Sequence, residues 1–157
     1  MRTIDVHTHF YPSGYLERLN SVEDMEIRID PSGRRTIYEH GARVVTLTPA
    51  MEDVELRMQE MDRVGMDMAL LSVSIPNVYF ATADEAPALC RDANEGLLEA
   101  CKRAPDRLKA FASVPLQNPD KAITELDWAS QNGFQAGSIR ERPRMLLPRT
   151  MPSMPFW

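Results

Sequence analysis

The sequence predicts an α/β fold built from parallel β-α-β units. Three observations support this prediction. The hydrophobic period alternates along the chain between that of strands and that of helices. The predicted strands after the first are apolar on both faces, and the segments between them are amphipathic helices with recognisable end signals. At 157 residues the chain is in the range of one domain. Two architectures use such units, an open doubly wound sheet and a (β/α)8 barrel, and periodicity alone does not separate them.

The first predicted strand covers residues 3–10, TIDVHTHF, which mix β-branched and aromatic residues without a helical period. Strict alternation along it would place Asp5, His7 and His9 on one face. Residues two apart on a strand are separated by roughly 6.5 to 7 Å, so both imidazoles could converge on one ion above the strand end. Nitrogen ligands suit zinc and other divalent transition metals. The alternative is a pair of surface or core histidines without a ligand.

An inserted antiparallel β segment is predicted between residues 25 and 48, where short alternating stretches surround DPSG and HG. The next segment, EDVELRMQEMDRVG, is predicted to be a helix that ends at Gly65. Its apolar stripe is Val54, Met58, Met61 and Val64. The nearly all-apolar MALLSVS follows as the second strand of the parallel sheet.

Two more helix and strand pairs complete the predicted series. Thr82 and Glu85 have capping-box spacing before a helix that directs Leu89, Ala93, Leu97 and Ala100 inward. The strand KAFASVPL comes after it. Asn118 and Pro119 fit the cap and first position of a third helix, which is predicted to bury Ile123, Leu126 and Ala129 before it ends at Gly133. FQAGSI is the fourth strand.

Composition excludes several classes of protein. The net charge of -5 and the absence of clustered lysines and arginines argue against a nucleic-acid binder. No apolar run approaches the roughly 20 residues that cross a bilayer, and the N-terminus has no apolar signal core. A cytoplasmic protein is therefore expected. Cys90 and Cys101 lie about 16 Å apart along one predicted helix, so they are expected to be reduced, buried thiols.

The first strand favours the barrel over the doubly wound sheet. No glycine-rich turn follows it to hold a phosphate, whereas a metal-type histidine pair lies at its carboxyl end. Barrel enzymes place their chemistry at that end of their strands.

Several segments in order resemble a known family: IDVHTHFYP, RVVTLTP, DVELRMQEMDRVGMDMALLSVS, DANEGL and APDRLKAFASVPLQNPDKAITELDWASQNGFQAGSI. They are similar to the amidohydrolase-related family that includes 2-amino-3-carboxymuconate 6-semialdehyde decarboxylase. The resemblance implies a metal-dependent (β/α)8 TIM barrel, usually with zinc. It also implies decarboxylation or hydrolysis of a small carboxylated, often ring-derived, substrate.

The resemblance also assigns residues. His7 and His9 match the family's first-strand metal ligands, and Arg43 falls where the decarboxylases have an arginine that holds a substrate carboxylate. A guanidinium suits a carboxylate, but a solvated arginine on a hairpin is the alternative. Asp5 is expected to orient a histidine or the neighbouring backbone rather than to bind metal. His40 precedes Gly41 in the insertion and is expected to be a turn histidine.

The family pattern ends near residue 139. Residues 140–157, RERPRMLLPRTMPSMPFW, contain four prolines and four arginines and form a predicted tail unrelated to the barrel. The family's later metal-binding histidine, catalytic histidine and aspartate have no counterpart here, so no catalytic residue is assigned in this chain. A barrel typically needs about 250 residues. Residues 1–139 are accordingly expected to be the N-terminal half of a barrel, truncated and with its activity in doubt.

Two alternatives to a metal-dependent carboxy-lyase or hydrolase follow from this expectation. One is a non-catalytic half-barrel that acts by oligomerisation, because unpaired edge strands invite pairing with another chain, including a second copy. The other is a non-functional fragment.

Overall fold

The computed structural model describes residues 2–134 and 136–138, which form two β-sheets and four α-helices. In chain order the elements are β1 (Ile4–His9), α1 (Ser13–Leu19), β2 (Met25–Ile29), β3 (Arg35–Glu39), β4 (Ala42–Thr46), a 3-10 helix (Pro49–Met51), α2 (Val54–Arg63), β5 (Met68–Ser72), α3 (Ala86–Arg103), β6 (Leu108–Ser113), α4 (Pro119–Gln131) and β7 (Ala136–Ser138). Residues 139–157 lie outside the described part, so the predicted boundary at residue 139 and the tail stay predictions.

The larger sheet has the strand order β1-β5-β6-β7, and every neighbouring pair is parallel. Helices α2, α3 and α4 connect successive strands, which makes three β-α-β units. The predicted α/β class is confirmed. The strand order follows the chain order, as it does when a barrel is built one unit at a time.

The smaller sheet, β2-β3-β4, is antiparallel throughout and lies within the predicted insertion. Its first two strands pair from Met25 opposite Glu39 to Ile29 opposite Arg35. His40 and Gly41, both with positive φ, make the turn between β3 and β4. The predicted β insertion is therefore confirmed.

Helix α1 was not predicted, because seven residues are too short to establish a helical period. It buries Tyr15, Leu16 and Leu19. The turn before it packs tightly on α3, since a Cβ atom added to Gly96 would lie only 2.2 Å from the Cβ atom of Pro12. The glycine permits this close approach.

Two predicted helix faces differ from the observed ones. Val64 is exposed at the end of α2, and in α4 Ile123 and Leu126 are 62% and 40% exposed. Helix α4 buries Ala129, as predicted, but Ala122 and Glu125 take the place of Ile123 and Leu126. The reason is that the Glu125 carboxylate binds two groups of α3, the Arg91 guanidinium at 2.7 Å and the Asn94 amide at 2.8 Å. Helical periodicity counts apolar residues and takes no account of a paired inward carboxylate.

The predicted helix start at Asn118 and the free thiols are confirmed, whereas α3 begins at Ala86, one turn later than its predicted capping box at Thr82. Thr82 and Glu85 exchange capping-box hydrogen bonds one turn before α3, and the Asn118 side chain accepts from the Lys121 N–H. Cys90 is buried, Cys101 is half-buried, and both are free. Burial raises the pKa of the Cys101 thiol to about 11, so it stays protonated at neutral pH. Within the described residues no helix has the length and apolarity to span a membrane.

Candidate metal centre

The imidazole rings of His7 and His9 lie together near the carboxyl end of β1. Their centroids are 4.6 Å apart and their planes meet at 72°. This is shorter than the spacing of alternate residues along a strand, about 7 Å, so the rings lean toward each other. The predicted convergence of the two imidazoles is present in the structure.

An extra residue in β1 changes how the strand presents its side chains. Asp5 pairs with Ala69 and Thr8 with Leu71, so three steps along β1 match two steps along β5. Such a β-bulge disrupts the regular alternation of side chains between the two faces. Val6 and His7, which are consecutive, both line the same cavity. The prediction of strict alternation along β1 is therefore wrong at this point.

The histidine pair opens on a cavity of about 540 Å³ at the carboxyl ends of the parallel strands. Its walls combine the two imidazoles and small polar groups with apolar side chains. The lining residues are Val6, His7, His9, Ser72, Val73, Ser74, Ile75, Asn77, Phe111 and Gly137. A cavity of this size and mixed character is typical of small-molecule sites.

One wall of the cavity is the loop after β5, which buried side chains hold in place. The Tyr11 hydroxyl donates to the carbonyl of Ile75 at 2.8 Å, and the Tyr15 hydroxyl donates to that of Asn77 at 2.6 Å. The Asn77 side chain donates in turn to the Val73 carbonyl. Tyrosines in a hydrophobic core thus fix the backbone that faces the histidines.

The surroundings of the His9 ring favour its neutral form. Burial lowers its pKa first, and the nearby His7 and Arg57 lower it further against an opposing effect of Asp5. Its Nδ1 atom is buried and has no hydrogen-bond partner among the described residues. Nε2 is then the ring nitrogen that can face the cavity. A neutral imidazole with a free lone pair is the form that binds a metal ion, so the residues present fit a divalent cation.

The Asp5 carboxylate supports the strand that carries the histidines. Its Oδ1 atom accepts the His7 backbone N–H at 2.9 Å. The Thr8 hydroxyl and this N–H lower the pKa of Asp5, which keeps the carboxylate ionised. Asp5 therefore acts on the neighbouring backbone, in line with the orienting role expected for it; that role in metal binding stays a prediction.

Arg57 is a residue of this site that the sequence analysis missed. Its Nη2 atom donates to the His9 carbonyl at 3.0 Å, while its Nε atom is buried without a described partner. Burial lowers the pKa of the guanidinium, and the carboxylates of Asp5 and Glu60 oppose that effect. A signal was available in the sequence, because Arg57 lies three residues after Val54 and four before Met61, on the buried face of α2.

Arg43 and His40 both lie in the inserted sheet. The Arg43 side chain is exposed on β4, and Arg43 is not among the residues that line the cavity of the histidine pair. Its predicted contact with a substrate carboxylate stays a prediction. His40 has a φ of 50° in the turn before β4, and its Nδ1 atom lies 3.1 Å from the Asp24 carboxylate. The turn-histidine interpretation is confirmed.

Within the part of the chain that the structure describes, no three His, Cys, Asp or Glu residues come together as a possible metal cluster. The candidate centre consists of two imidazoles. Catalytic zinc sites use three protein ligands and an open position. The two imidazoles would thus account for two of the three protein ligands that such a site needs, and their binding of a metal stays a prediction.

Comparison with known proteins gives a family match. The family model described as Amidohydrolase matches residues 4–157. The match includes residues 140–157, which the sequence analysis separates as a tail.

Two curated relatives are decarboxylases. The gamma-resorcylate decarboxylase of Rhizobium radiobacter is 43% identical over 115 residues, which cover 66% of this chain and 34% of that protein. The 2-amino-3-carboxymuconate-6-semialdehyde decarboxylase of Caenorhabditis elegans is 25% identical over 126 residues, 78% of this chain and 31% of that protein. The aligned part of the chain thus spans about a third of the length of these relatives.

A solved structure matches the fold. The dihydroxybenzoic acid decarboxylase of Polaromonas sp. JS666, with bound manganese and the inhibitor 2-nitroresorcinol, superposes with a TM-score of 0.62 at 25% identity. The match covers 87% of this chain and 38% of that one. Together with the parallel β-α-β sheet, it confirms the prediction of part of a (β/α)8 barrel.

Proposed function

Because the chain belongs to the amidohydrolase family, we propose that the protein is a metal-dependent decarboxylase of a small, ring-derived carboxylate. The observation that carries the proposal is the pair of converging imidazoles on an open cavity at the carboxyl end of β1. Decarboxylation is favoured over hydrolysis because both curated relatives described above are named decarboxylases.

We assign the metal to His7 and His9. Bound there, a divalent ion would polarise an oxygen atom of the substrate. Zinc is the expectation from the family resemblance, whereas the related decarboxylase from Polaromonas contains manganese. The proposal is for a divalent cation, and both metals serve as probes.

The chain's other residues would prepare the site for substrate. Asp5 holds the His7 backbone, and the desolvated His9 ring keeps its lone pair available. Val73, Ile75 and Phe111 give the cavity apolar surface against which a ring can pack.

We retain Arg43 as the candidate partner of a substrate carboxylate. The Arg43→Gln variant is then expected to raise KM at least tenfold and to leave metal content unchanged. Steady-state kinetics and metal analysis of the same preparation check this. Unchanged KM would remove Arg43 from the site.

The proposal is tested by metal content and by release of carbon dioxide from gamma-resorcylate, using the full chain. The His7→Ala, His9→Ala double variant removes both imidazoles and is expected to lose bound metal and decarboxylation together. The control is His40→Asn, which removes the third histidine of the chain from its exposed turn. Asparagine suits that position because it tolerates positive φ.

The outcomes test the metal site and the proposed reaction independently. Metal that is present in the wild type and in the control but absent from the double variant supports the metal site. Metal content that is equal in all three proteins contradicts it. A wild-type protein that binds metal but releases no carbon dioxide from gamma-resorcylate or other hydroxybenzoates contradicts the proposed reaction and leaves the metal assignment standing.

A further inference from the structure

We propose that Arg57 is a positioning residue for the metal ligand His9, and that it acts by holding the His9–Phe10 peptide from the side opposite β5. The inference rests on the proposed function, because it takes His9 to be a ligand. It concerns a residue of α2 that lies outside the lining of the cavity.

The peptide group that follows His9 is hydrogen-bonded on both edges. The Phe10 N–H donates to the Ser72 carbonyl of β5 at 3.0 Å. The C=O and N–H of a trans peptide point in opposite directions, so the His9 carbonyl points away from β5. There it accepts from Nη2 of Arg57 at 3.0 Å. A peptide bonded on both edges cannot rotate without breaking a bond, and its orientation sets the direction of the His9 side chain.

The position of β1 explains why a side chain is needed for this task. Among the described strands, β1 is at the edge of the parallel sheet and pairs only with β5. Its other edge therefore lacks a described ladder partner that would fix its carbonyls. Arg57 supplies a donor at the last residue of the strand. A hydrogen bond from a charged donor is also stronger than a neutral one.

The same guanidinium acts on the other histidine through Asp5. Arg57 and Asp5 attract each other electrostatically, and the Asp5 carboxylate accepts the His7 N–H at 2.9 Å. One half-buried cation thus stabilises the backbone on both sides of the bulge between Asp5 and Thr8. The relative position of the two imidazoles depends on that stretch of backbone.

A purely structural role does not explain this arginine well. The side chain is half-buried and its Nε donor has no described partner. Burying an incompletely paired charge costs free energy, and an apolar residue of similar size stabilises such a position as well or better. Holding a carbonyl next to a metal ligand is a task that an apolar residue cannot perform.

The test compares Arg57→Met and Arg57→Lys with the control Arg63→Met, which lies on the same helix and removes an exposed arginine whose partner among the described residues is Glu60. The affinity of the full chain for Mn²⁺ alone is measured by titration calorimetry. Groups that orient metal ligands typically contribute 10- to 100-fold to affinity. We expect Arg57→Met to weaken Mn²⁺ binding about 10- to 100-fold. Arg57→Lys, which keeps a cation but not the planar fork, is expected to recover part of the loss. The control should bind as the wild type does.

The second readout is the position of the His9 ring in the metal-free protein, which is monitored through the NMR signals of its imidazole. These signals should shift in Arg57→Met and not in Arg63→Met. Wild-type affinity in a folded Arg57→Met protein overturns the inference. If Arg57→Met does not fold, wild-type affinity in Arg57→Lys overturns it and a reduced affinity supports it. Equal losses in Arg57→Met and in the control also overturn it. A wild-type protein that binds no Mn²⁺ or Zn²⁺ instead refutes the proposed metal site itself.

Discussion

Two polar clusters lie in the parallel β-α part of the molecule, and they differ in how completely their groups are paired. We call them the β1 site (Asp5, His7, His9 and Arg57) and the α3–α4 cluster (Arg91, Asn94 and Glu125). In the β1 site, His9 Nδ1 and Arg57 Nε are buried without a described partner. In the α3–α4 cluster, both oxygens of Glu125 accept hydrogen bonds, and Asn94 binds the N–H and the C=O of Ser113.

This difference in pairing indicates different roles: the β1 site is a candidate metal-binding site, and the α3–α4 cluster stabilises the fold. Burial of a polar atom without a partner costs about 1 to 3 kcal/mol, and in the β1 site both such atoms belong to residues that we propose bind or position a metal ion. The α3–α4 cluster satisfies its carboxylate and amide, and it ties α3, α4 and the end of β6 together. We therefore expect changes in the α3–α4 cluster to affect stability, and changes in the β1 site to affect metal binding.

Replacing Glu125 with alanine should give the largest loss of stability. Breaking a buried ion pair costs about 3 to 5 kcal/mol, and the lower end applies because Arg91 keeps 32% of its side chain exposed. Urea unfolding measures the change. The control, Glu99→Ala, removes an exposed partner of Lys102 and should cost less than about 1 kcal/mol. Equal losses in both variants would contradict the special role of the α3–α4 cluster.

Replacing Asn94 with alanine should cost about 2 kcal/mol, because the buried Ser113 N–H loses its partner and the Glu125 Oε1 atom loses one of its two donors. Mn²⁺ affinity should remain within about twofold of the wild type, since a factor of two is about 0.4 kcal/mol. Thermal unfolding and metal titration of the same protein give both values. An Asn94→Ala protein that keeps its stability but loses metal would contradict the assignment of the α3–α4 cluster to stability and of the β1 site to metal binding.

The His7→Ala, His9→Ala double variant should change the free energy of unfolding by less than about 1 kcal/mol. The packing lost with the two rings is offset because the buried His9 nitrogen without a described partner, which destabilises the fold, is removed as well. Unfolding of the metal-free protein is the relevant measurement. A loss of several kcal/mol would mean that the histidines serve the fold.

The smallest effect is expected on the outer face of α4. Ile123 is 62% exposed, so Ile123→Ser should change stability by no more than about 0.5 kcal/mol. Denaturant unfolding checks this value. A loss above about 2 kcal/mol would indicate that Ile123 faces the core, as the helical period predicts.

The main features of the fold could be predicted from local patterns. Alternation of strand and helix periods predicted the parallel sheet and the β insertion, and the capping residues Thr82, Glu85 and Asn118 lie close to the observed helix starts. These signals reside in a few neighbouring residues. The rotation of α4 could not be predicted in this way, because it depends on a carboxylate that pairs with a different helix.

The site was predictable only in part, for a related reason. His7 and His9 are two residues apart, so the strand pattern brings them together. Arg57 reaches the His9 carbonyl from 48 residues along the chain, and the bulge in β1 results from pairing with β5. Both are tertiary features. Arg43 was assigned from the family resemblance, and the structure places it on the exposed part of the insertion.

The central claim is that one divalent ion binds both imidazoles of β1. Anomalous X-ray diffraction at the zinc edge, from crystals of the full chain grown with Zn²⁺, tests it most directly. The account predicts a single strong peak about 2.0 to 2.1 Å from one ring nitrogen of His7 and one of His9. A peak beside His40 and Asp24, or on only one of the two β1 rings, would contradict it.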